Sequence, residues 1–254
     1  IYVNITKDRQ EIIRQLGKLR DKKFESFLVD AFISAQNEVK FWVDIQDYFI
    51  FKSLNDLIPK FSIKMDFKEI RSITEIISNI VDYKSEFTSR HSKGLSEKAL
   101  LMSEFYKFDL DTKYQLEIAA DLHDIGKLAI SNNILDKNGK LEPFEFLEIK
   151  SHAYLTRKAL ENICGFEKIT EWAANHHEKL NGRGYPLGKT DDELDFCSRI
   201  LGCLDIYQAL TEERPYRASL SHEKSISIMK SMSENYEIDS NIVDSIDKVF
   251  CLSI

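Results

Sequence analysis

Five of the six histidines in this chain fall in one region, together with two aspartates. The seven residues are His91, His123, Asp124, His152, His176, His177 and Asp205. Imidazole and carboxylate groups without a nearby cysteine favour first-row metals such as iron or manganese over a structural zinc site. Any one of these histidines alone would more often be a structural residue than a ligand. Together they offer enough ligands for two divalent metal ions.

The segment HHEKLNGRGYP, residues 176 to 186, places two histidines side by side before a loop. Neighbouring residues on a helix point about 100° apart, so both imidazoles can reach one cavity from different directions. Gly182 and Gly184 permit tight turning, and Pro186 fixes the exit of the loop. A Gly-Tyr-Pro tripeptide alone would predict only a turn, because such turns are common.

Helical periodicity dominates the elements that must position these groups. Apolar residues recur three and four apart, strand-like alternation is scarce, and only nine glycines and four prolines interrupt the pattern. The sequence therefore predicts an all-α fold. Residues 11–36 and 39–58 show the pattern of amphipathic helices in a small N-terminal bundle, and no motif there carries chemistry.

A domain boundary is predicted within IPKFSIKMD, residues 58 to 66, where a proline and β-forming residues separate two helical patterns. The predicted domains are an N-terminal helical region, 1–65, and a second domain, 66–254. We expect the N-terminal region to have a regulatory role or to form a homodimer through its helices. The chain begins with Ile1 and not with Met, and we expect it to be a piece of a longer protein.

Composition argues against several function classes. The formal net charge of -7 argues against general binding to DNA or RNA, although a local basic cleft for a small anionic substrate stays open. No apolar run is long enough to span a membrane, and the first ten residues lack the pattern of a signal peptide. The four cysteines are scattered without CxxC spacing, which indicates reduced residues in a cytoplasmic protein.

The segment HDIGKLAI, residues 123 to 130, resembles the HD superfamily of metal-dependent phosphohydrolases, which combine an adjacent His-Asp pair with an earlier histidine and a later aspartate. The segments NILDKNGKLEPFEF, KSHAYL, HHEKLNGRGYP and DIYQALTEERPYR are similar to the HD-GYP subgroup. The resemblance runs from about residue 66 nearly to the C-terminus. It implies an HD-type helical bundle and a phosphodiesterase that opens cyclic di-GMP or a related cyclic dinucleotide, such as cyclic GMP-AMP, to a linear product.

The same resemblance implies a site for two metals. Carried over by motif, it assigns the seven residues above to these metals, with Asp124 bridging both ions. Two such cations hold a hydroxide at neutral pH and clamp a phosphodiester for in-line attack. Lys127, four residues after His123 and so on a similar helical face, is suited to neutralise a phosphate oxygen. Without the motif, Lys127 would be interpreted as a surface lysine.

Substrate contacts are expected from the Tyr185 loop and from the segment after the last aspartate. Arg214 and Arg217 suit contacts to phosphate or to a purine, with Tyr216 stacking or packing beneath; an ordinary solvated charge cluster is the alternative. In the resembling group, the residue three after the last aspartate is often acidic and contacts guanine, whereas here it is Gln208. This departure predicts a relaxed preference for guanine, because an amide both donates and accepts.

The number of metals depends on the residues before His91. Some members of the group bind a third ion through a glutamate four residues before the first histidine, but that position is Phe87 here. Glu86 is rotated about 140° from His91 on a helix and is poorly aimed, so the sequence predicts two ions. His222, the sixth histidine, follows Ser221 at a predicted helix start and is expected to be exposed and non-catalytic.

Three functions fit this sequence. The first is a cyclic dinucleotide phosphodiesterase, the second is a degenerate module that binds such a nucleotide and signals through partners, and the third is a general HD nucleotidase. Intact His123, Asp124 and Asp205 favour the enzyme over the binding module. The RGYP and RPYR segments argue against the nucleotidase only through the family resemblance.

Overall fold

A computed structural model of the chain describes residues 5–45, 50–57, 64–84, 91–137, 139–213 and 218–251. The chain forms two compact units, Ile1–Lys64 and Met65–Ile254. A regulatory or dimerising role for the first unit stays a prediction. Within the described residues no strand forms and only isolated bridges occur, so the all-α prediction is confirmed. None of the described helices is long and apolar enough to cross a membrane.

The described part of the first unit contains the helices α1 (Ile5–Leu19), α2 (Ser26–Ala35), α3 (Val39–Asp44) and α4 (Ile50–Leu57). The buried ring of Trp42 lies edge-on to Phe32 and Phe41, with centroid distances of 6.1 and 5.5 Å. Its Nε1 donates to the carbonyl oxygen of Gln36 at 2.7 Å, and Arg9 on α1 donates to the Gln36 side chain at 2.9 Å. Aromatic packing and these hydrogen bonds hold the first three helices together.

The second unit contains α5 (Phe67–Lys84), α6 (His91–Phe105), α7 (Leu110–Leu122), α8 (Asn132–Leu135), α9 (Pro143–Leu160), α10 (Glu167–Ala174), α11 (Phe196–Thr211), α12 (His222–Glu234) and α13 (Ser240–Phe250). Two short 3-10 helices, Ile125–Ala129 and Asp191–Glu193, lie between them. Helix α7 packs against α5, α6 and α10, while α11 packs against α6, α10, α12 and α13. The two helices α7 and α11 therefore run through the centre of this unit.

The core of the second unit consists of apolar side chains on α6, α7, α10, α11, α12 and α13. Leu95, Leu116, Ile200, Leu204 and Ile242 are fully buried in it. Complete burial of such a side chain stabilises the fold by about 1.5–3 kcal/mol. The packed core fixes the helices that carry the clustered histidines and aspartates.

An N-terminal cap aligns α11 with α10. Asp195 accepts a hydrogen bond from the Ser198 backbone N–H at 2.7 Å, which satisfies one of the free donors at the helix start. The second carboxylate oxygen of Asp195 accepts from Trp172 Nε1 on α10 at 2.6 Å. One side chain thus begins α11 and fixes its position beside the helix that precedes His176 and His177.

Candidate metal centre

The structure brings together the seven residues that the sequence predicts as metal ligands. They form three overlapping groups, in each of which one ligand atom per residue lies within 4.8 Å of the others: His91, His123 and Asp205; His123, Asp124 and His176; His152, His176 and His177. Because His123 and His176 each belong to two groups, the set is one continuous cluster. All of its members are buried except His177, which is partly exposed.

His91 is the first residue of α6, and a buried carboxylate on α5 fixes this helix start. Asp82 accepts hydrogen bonds from the Ser92 backbone N–H at 3.2 Å and from the Ser92 hydroxyl at 2.7 Å. Burial raises the pKa of Asp82, and the hydrogen bonds from Ser92 oppose this rise. The His91 imidazole therefore enters the cluster from a well-anchored helix end.

Gly126 brings the His123-Asp124 pair against α9. A Cβ atom at Gly126 would lie 2.0 Å from the carbonyl oxygen of His152, so only glycine permits this approach. The Gly126 N–H donates to Thr156 Oγ1 at 3.1 Å, and the Thr156 hydroxyl donates to the carbonyl oxygen of His123 at 2.9 Å. These contacts place Asp124 beside His152 although the two residues belong to different elements.

The doubled histidine lies between the end of α10 and the middle of α11. His176 and His177 follow Asn175, the last capping residue of α10, and Asp205 lies on α11. A Cβ atom at Gly202, one turn before Asp205, would lie 3.0 Å from the carbonyl oxygen of His176. A glycine thus again allows a close approach between the segments that carry the clustered residues.

The Gly-Tyr-Pro loop folds back over the doubled histidine. A Cβ atom at Gly184 would lie 2.4 Å from the Lys179 backbone nitrogen, which requires glycine at this position. The Tyr185 N–H donates to the carbonyl oxygen of His177 at 3.2 Å, and the two rings lie 4.7 Å apart. The Glu178 carboxylate holds the rest of the loop by accepting from the backbone N–H groups of Leu187, Gly188 and Lys189 at 2.7, 3.2 and 3.0 Å.

Backbone carbonyls fix the orientation of three imidazoles. The Nδ1 atoms of His123, His152 and His176 lie 2.8, 2.6 and 2.6 Å from the carbonyl oxygens of Ala120, Ile149 and Ala173. A carbonyl only accepts, so each Nδ1 carries the hydrogen and each Nε2 remains an acceptor that faces the cluster. Burial also lowers the pKa of His152 and His176, which favours the neutral form that a metal requires.

Two contacts in the cluster bring together atoms that do not form a normal hydrogen bond. The Nε2 atoms of His152 and His176 face each other at 3.3 Å, although both are acceptors. Asp124 Oδ1 is buried 3.3 Å from His152 Nε2 and has no hydrogen bond within the described chain. Facing lone pairs repel unless a cation lies between them. These nitrogen and oxygen donors, with no sulfur among them, fit a first-row divalent metal.

The family model described as "HD domain" matches residues 75–242, a range that includes the whole cluster. The chain belongs to the HD domain family. Its helical bundle and the His-Asp pair after α7 are those that the sequence resemblance predicts.

Named relatives extend this result. The chain is 34% identical to 3'3'-cGAMP-specific phosphodiesterase 1 of Vibrio cholerae over 96% of this chain and 58% of the relative. It is 27% identical, with a TM-score of 0.63, to the crystal structure of a cyclic GMP-AMP specific phosphodiesterase of Vibrio cholerae, over 96% of this chain and 56% of that chain. Bd1817, an HDG"Y"P protein of Bdellovibrio bacteriovorus, is 14% identical with a TM-score of 0.55 over 73% of this chain and 65% of that chain, and shows the shared fold alone.

The resemblance to the HD-GYP subgroup is confirmed by these comparisons. The chain spans about half the length of the curated relatives it matches.

In this HD domain, Glu212 contacts a predicted ligand and was missed by the sequence analysis. His91 lies between two carboxylates, with Nε2 3.0 Å from Asp205 Oδ1 and Nδ1 2.9 Å from Glu212 Oε2. Burial lowers the pKa of His91, but the hydrogen bonds to Asp205 and Glu212 overcome this effect and raise it to about 9. A cation at Nε2 must displace that proton, after which Glu212 still orients the ring through Nδ1.

Lys127 lies beside Asp124, but the prediction that it shares a helical face with His123 is wrong. Helix α7 ends at Leu122, and Lys127 belongs to the following 3-10 helix, which turns its side chain back towards the pair. Lys127 Nζ lies 2.5 Å from Asp124 Oδ2, with 22% of its side chain exposed. Burial raises the pKa of Asp124, but His123 and Lys127 beside it lower this pKa well below its usual range.

Besides Lys127, the described residues among the predicted substrate contacts are Tyr185 and Gln208. Tyr185 lies at the rim of the cluster, where Lys150 Nζ is 5.1 Å from its ring centroid. Gln208 is buried on α11, and its side-chain oxygen accepts from Lys98 Nζ at 2.6 Å. Five further residues lie outside the described residues. Arg214, Tyr216 and Arg217 belong to the predicted substrate contacts, and Glu86 and Phe87 belong to the prediction of the number of metal ions.

The prediction that His222 is exposed is wrong. His222 is 5% exposed because it lies between α11 and α13, where Nδ1 is 2.9 Å from the Tyr207 hydroxyl and Nε2 is 3.0 Å from Asp247 Oδ1. The predicted helix start is correct, since Ser221 caps α12 by accepting from the Lys224 backbone N–H. His222 belongs to none of the three groups of ligand atoms in the described residues.

Proposed function

We propose that this HD domain chain is the catalytic part of a metal-dependent phosphodiesterase that hydrolyses a cyclic dinucleotide. The observation that carries the proposal is the continuous cluster of five histidines and two aspartates with ligand atoms facing one another. The relatives named as cyclic GMP-AMP specific phosphodiesterases support the choice of substrate class. Cyclic GMP-AMP and cyclic di-GMP are the proposed substrates.

Two divalent cations, iron or manganese, are the proposed cofactors. His91, His123 and Asp205 would hold one of them, and His152, His176 and His177 would hold the other. Asp124 suits a bridging role, because Oδ2 lies 3.1 Å from His123 Nε2 while Oδ1 lies 3.3 Å from His152 Nε2. Such ions, when bound, make water a stronger nucleophile at neutral pH and offset charge on a phosphodiester.

Two side chains of the protein would assist this chemistry: the ammonium group of Lys127 and the aromatic ring of Tyr185. Lys127 Nζ, beside Asp124 and partly exposed, can neutralise a non-bridging phosphate oxygen as negative charge develops in the transition state. Tyr185 lies over His177 and offers a ring face to a base or ribose, and the loop contacts of Glu178 hold it there. Burial raises the pKa of Tyr185, so its hydroxyl stays a neutral donor.

The proposal also includes a cytoplasmic location and a role for the first unit. The cysteines Cys164, Cys197, Cys203 and Cys251 are free thiols, which fits the reducing cytoplasm. The first unit is proposed to regulate the HD domain or to form a homodimer.

The test is product analysis with metal-loaded protein. Cyclic di-GMP, cyclic GMP-AMP and cyclic di-AMP are each incubated with protein loaded with iron(II) or manganese(II), and the products are separated by chromatography. We expect a linear dinucleotide, or mononucleotide from a second cleavage, and no product from Asp124→Ala protein. Binding of a cyclic dinucleotide without any product would contradict the proposed phosphodiesterase activity and would support the binding module instead.

A further inference from the structure

The metal centre opens to solvent at His177. Of the seven clustered residues only His177 is partly exposed, with 29% of its side chain accessible, whereas the other six are buried. The Tyr185 ring lies 4.7 Å from the His177 ring and 6.4 Å from the His152 ring, measured between centroids. A substrate that reaches the ligands from this side must therefore pass Tyr185.

Lys150 brings a cation to this opening. It lies on α9 two residues before His152, and its Nζ is 4.8 Å from the centroid of the Phe146 ring and 5.1 Å from that of the Tyr185 ring. An ammonium group within about 6 Å of a ring centroid is attracted by the negative face of the ring. Phe146 precedes Lys150 by one turn on α9, while Tyr185 comes from the Gly-Tyr-Pro loop. Two rings from different segments thus hold one ammonium group at the opening.

The half-buried Lys150 still has hydrogen-bond donors to offer. Its rings attract the charge, but within the described residues its Nζ has no oxygen acceptor and no carboxylate partner. The lysines that follow the His-Asp pair and the doubled histidine are each paired with a carboxylate: Lys127 with Asp124, Lys179 with Glu237 and Lys189 with Glu171. Lys150 is therefore the lysine at this opening whose charge is available to an anionic ligand.

We infer that Lys150 binds the second phosphate of a cyclic dinucleotide, the one that is not being cleaved, an inference that rests on the proposed function. The ring of such a substrate contains two phosphodiesters, and each carries a negative charge. The metal ions and Lys127 would neutralise the phosphate under attack. The other phosphate would have no counter-charge, in a chain whose formal net charge is -7. A charge-assisted hydrogen bond from Lys150 supplies it.

The two rings make this lysine better suited to the task than an unrestrained one. A lysine side chain loses rotamer freedom when it is ordered on binding, and this loss opposes the interaction. Phe146 and Tyr185 already restrict the side chain, so less freedom is lost. Because the contact is with a phosphate and not with a base, it should act equally on cyclic di-GMP and cyclic GMP-AMP. Lys150 would recognise the class of cyclic dinucleotides and would not choose between bases.

The experiment uses metal-loaded Lys150→Met protein, which keeps an apolar side chain without the charge and the donors. We expect KM for cyclic di-GMP and for cyclic GMP-AMP to rise about tenfold, the effect of losing one hydrogen bond to a charged group. The value of kcat should stay within about twofold, because a contact with a non-reacting group stabilises ground state and transition state alike. Lys150→Arg keeps a cation and should keep KM within about threefold of the wild-type value.

A substrate with a single phosphate separates a direct contact from a general effect of charge. Bis(p-nitrophenyl) phosphate is a phosphodiester without a second phosphate, so its kcat/KM should change by less than about twofold in Lys150→Met protein. A general change in the electrostatic field would instead weaken both kinds of substrate, since both bring an anion to the metals. For the dinucleotides, the difference in KM between wild type and variant should shrink as the salt concentration rises.

Lys158→Met is the matched control on the same helix. Lys158 lies near the C-terminal end of α9, where its Nζ is 5.4 Å from the centroid of the Tyr154 ring and contacts Glu161. The substitution also removes an ammonium group from a tyrosine ring, but should leave KM for all three substrates within about twofold. Elemental analysis should give the wild-type metal content in every variant.

Each outcome decides the inference. If Lys150→Met leaves KM for both dinucleotides unchanged, or weakens the single-phosphate substrate by the same factor, the inference is overturned and the proposed function stands. A loss of bound metal in this variant would show that Lys150 supports the segment that carries His152, and would also overturn it. If the wild-type protein hydrolyses bis(p-nitrophenyl) phosphate but neither binds nor cleaves a cyclic dinucleotide, the proposed function fails and the inference fails with it.

Discussion

His152 Nε2 and His176 Nε2 face each other at 3.3 Å across the metal centre, and the hydrogen of each ring is on Nδ1. This arrangement is repulsive without a cation, so metal should stabilise the folded protein. At about 100 times its Kd, manganese(II) should raise the free energy of unfolding by about 2.7 kcal/mol and thereby raise Tm. Magnesium, which prefers oxygen ligands, is the control and should have little effect. Equal Tm values with manganese and with a chelator would contradict the site.

Asp124 and Lys127 are adjacent in space, but substitutions at the two positions should have different effects on metal binding and on kcat. Asp124→Ala removes a carboxylate between the two groups of ligands, so we expect loss of bound metal together with hydrolysis. Lys127→Met should retain the metal and lower kcat by about 100-fold, the effect of removing one preorganised donor. Elemental analysis and initial rates separate the two variants. Lys158→Met, an exposed lysine paired with Glu161, is the control and should stay within about twofold of wild type.

Gly126 should tolerate no side chain. In Gly126→Ala protein the new Cβ would meet the His152 carbonyl oxygen at 2.0 Å, and both partners are backbone-fixed, so the 3-10 helix Ile125–Ala129 and α9 must separate. We expect a loss of about 3 kcal/mol in unfolding free energy and a loss of bound metal. Gly17→Ala on α1, where nothing lies within 4 Å of the added Cβ, should not destabilise the protein. Wild-type metal content in Gly126→Ala would refute this role of the glycine.

His222→Ala should affect stability and leave metal binding intact. The change leaves the buried Tyr207 hydroxyl and the Asp247 carboxylate without their shared partner, which costs about 1–3 kcal/mol of unfolding free energy. Chemical denaturation measures that loss, with the exposed Lys224→Ala as the control on the same helix. Reduced metal content in folded His222→Ala protein would show that the ligand set has been misread.

The sequence was sufficient to predict the helical fold and the residues of the cluster, because both depend on local patterns. Apolar spacing marks the helices, and the His-Asp pair, the doubled histidine and the later Asp205 occur in short motifs. Glu212 could not be found this way, since its contact with His91 joins residues 121 positions apart. The Lys98-Gln208 contact, across 110 positions, was missed for the same reason.

Two wrong predictions have local physical causes. The prediction put Lys127 on the same helical face as His123 because it assumed that α7 continues. The close approach of Gly126 to α9 ends the helix after Leu122. His222 was placed at the surface because it begins a helix, and only the packing of α11 and α13 beside it buries the ring. Both errors concern segments whose conformation is decided by neighbouring elements and not by their own sequence.

The last prediction is that each chain binds two metal ions and not three. A third ion needs further oxygen or nitrogen ligands near His91, and the sequence has Phe87 where some HD-GYP members have a glutamate. Asp82, beside this helix start, uses its two oxygens to hold Ser92, while Glu212 holds His91 Nδ1. An underliganded dication in a partly buried site is unfavourable, whereas two ions suffice for in-line displacement. Elemental analysis after saturation with iron or manganese should give about two ions per chain, and three anomalous peaks in crystals would contradict this.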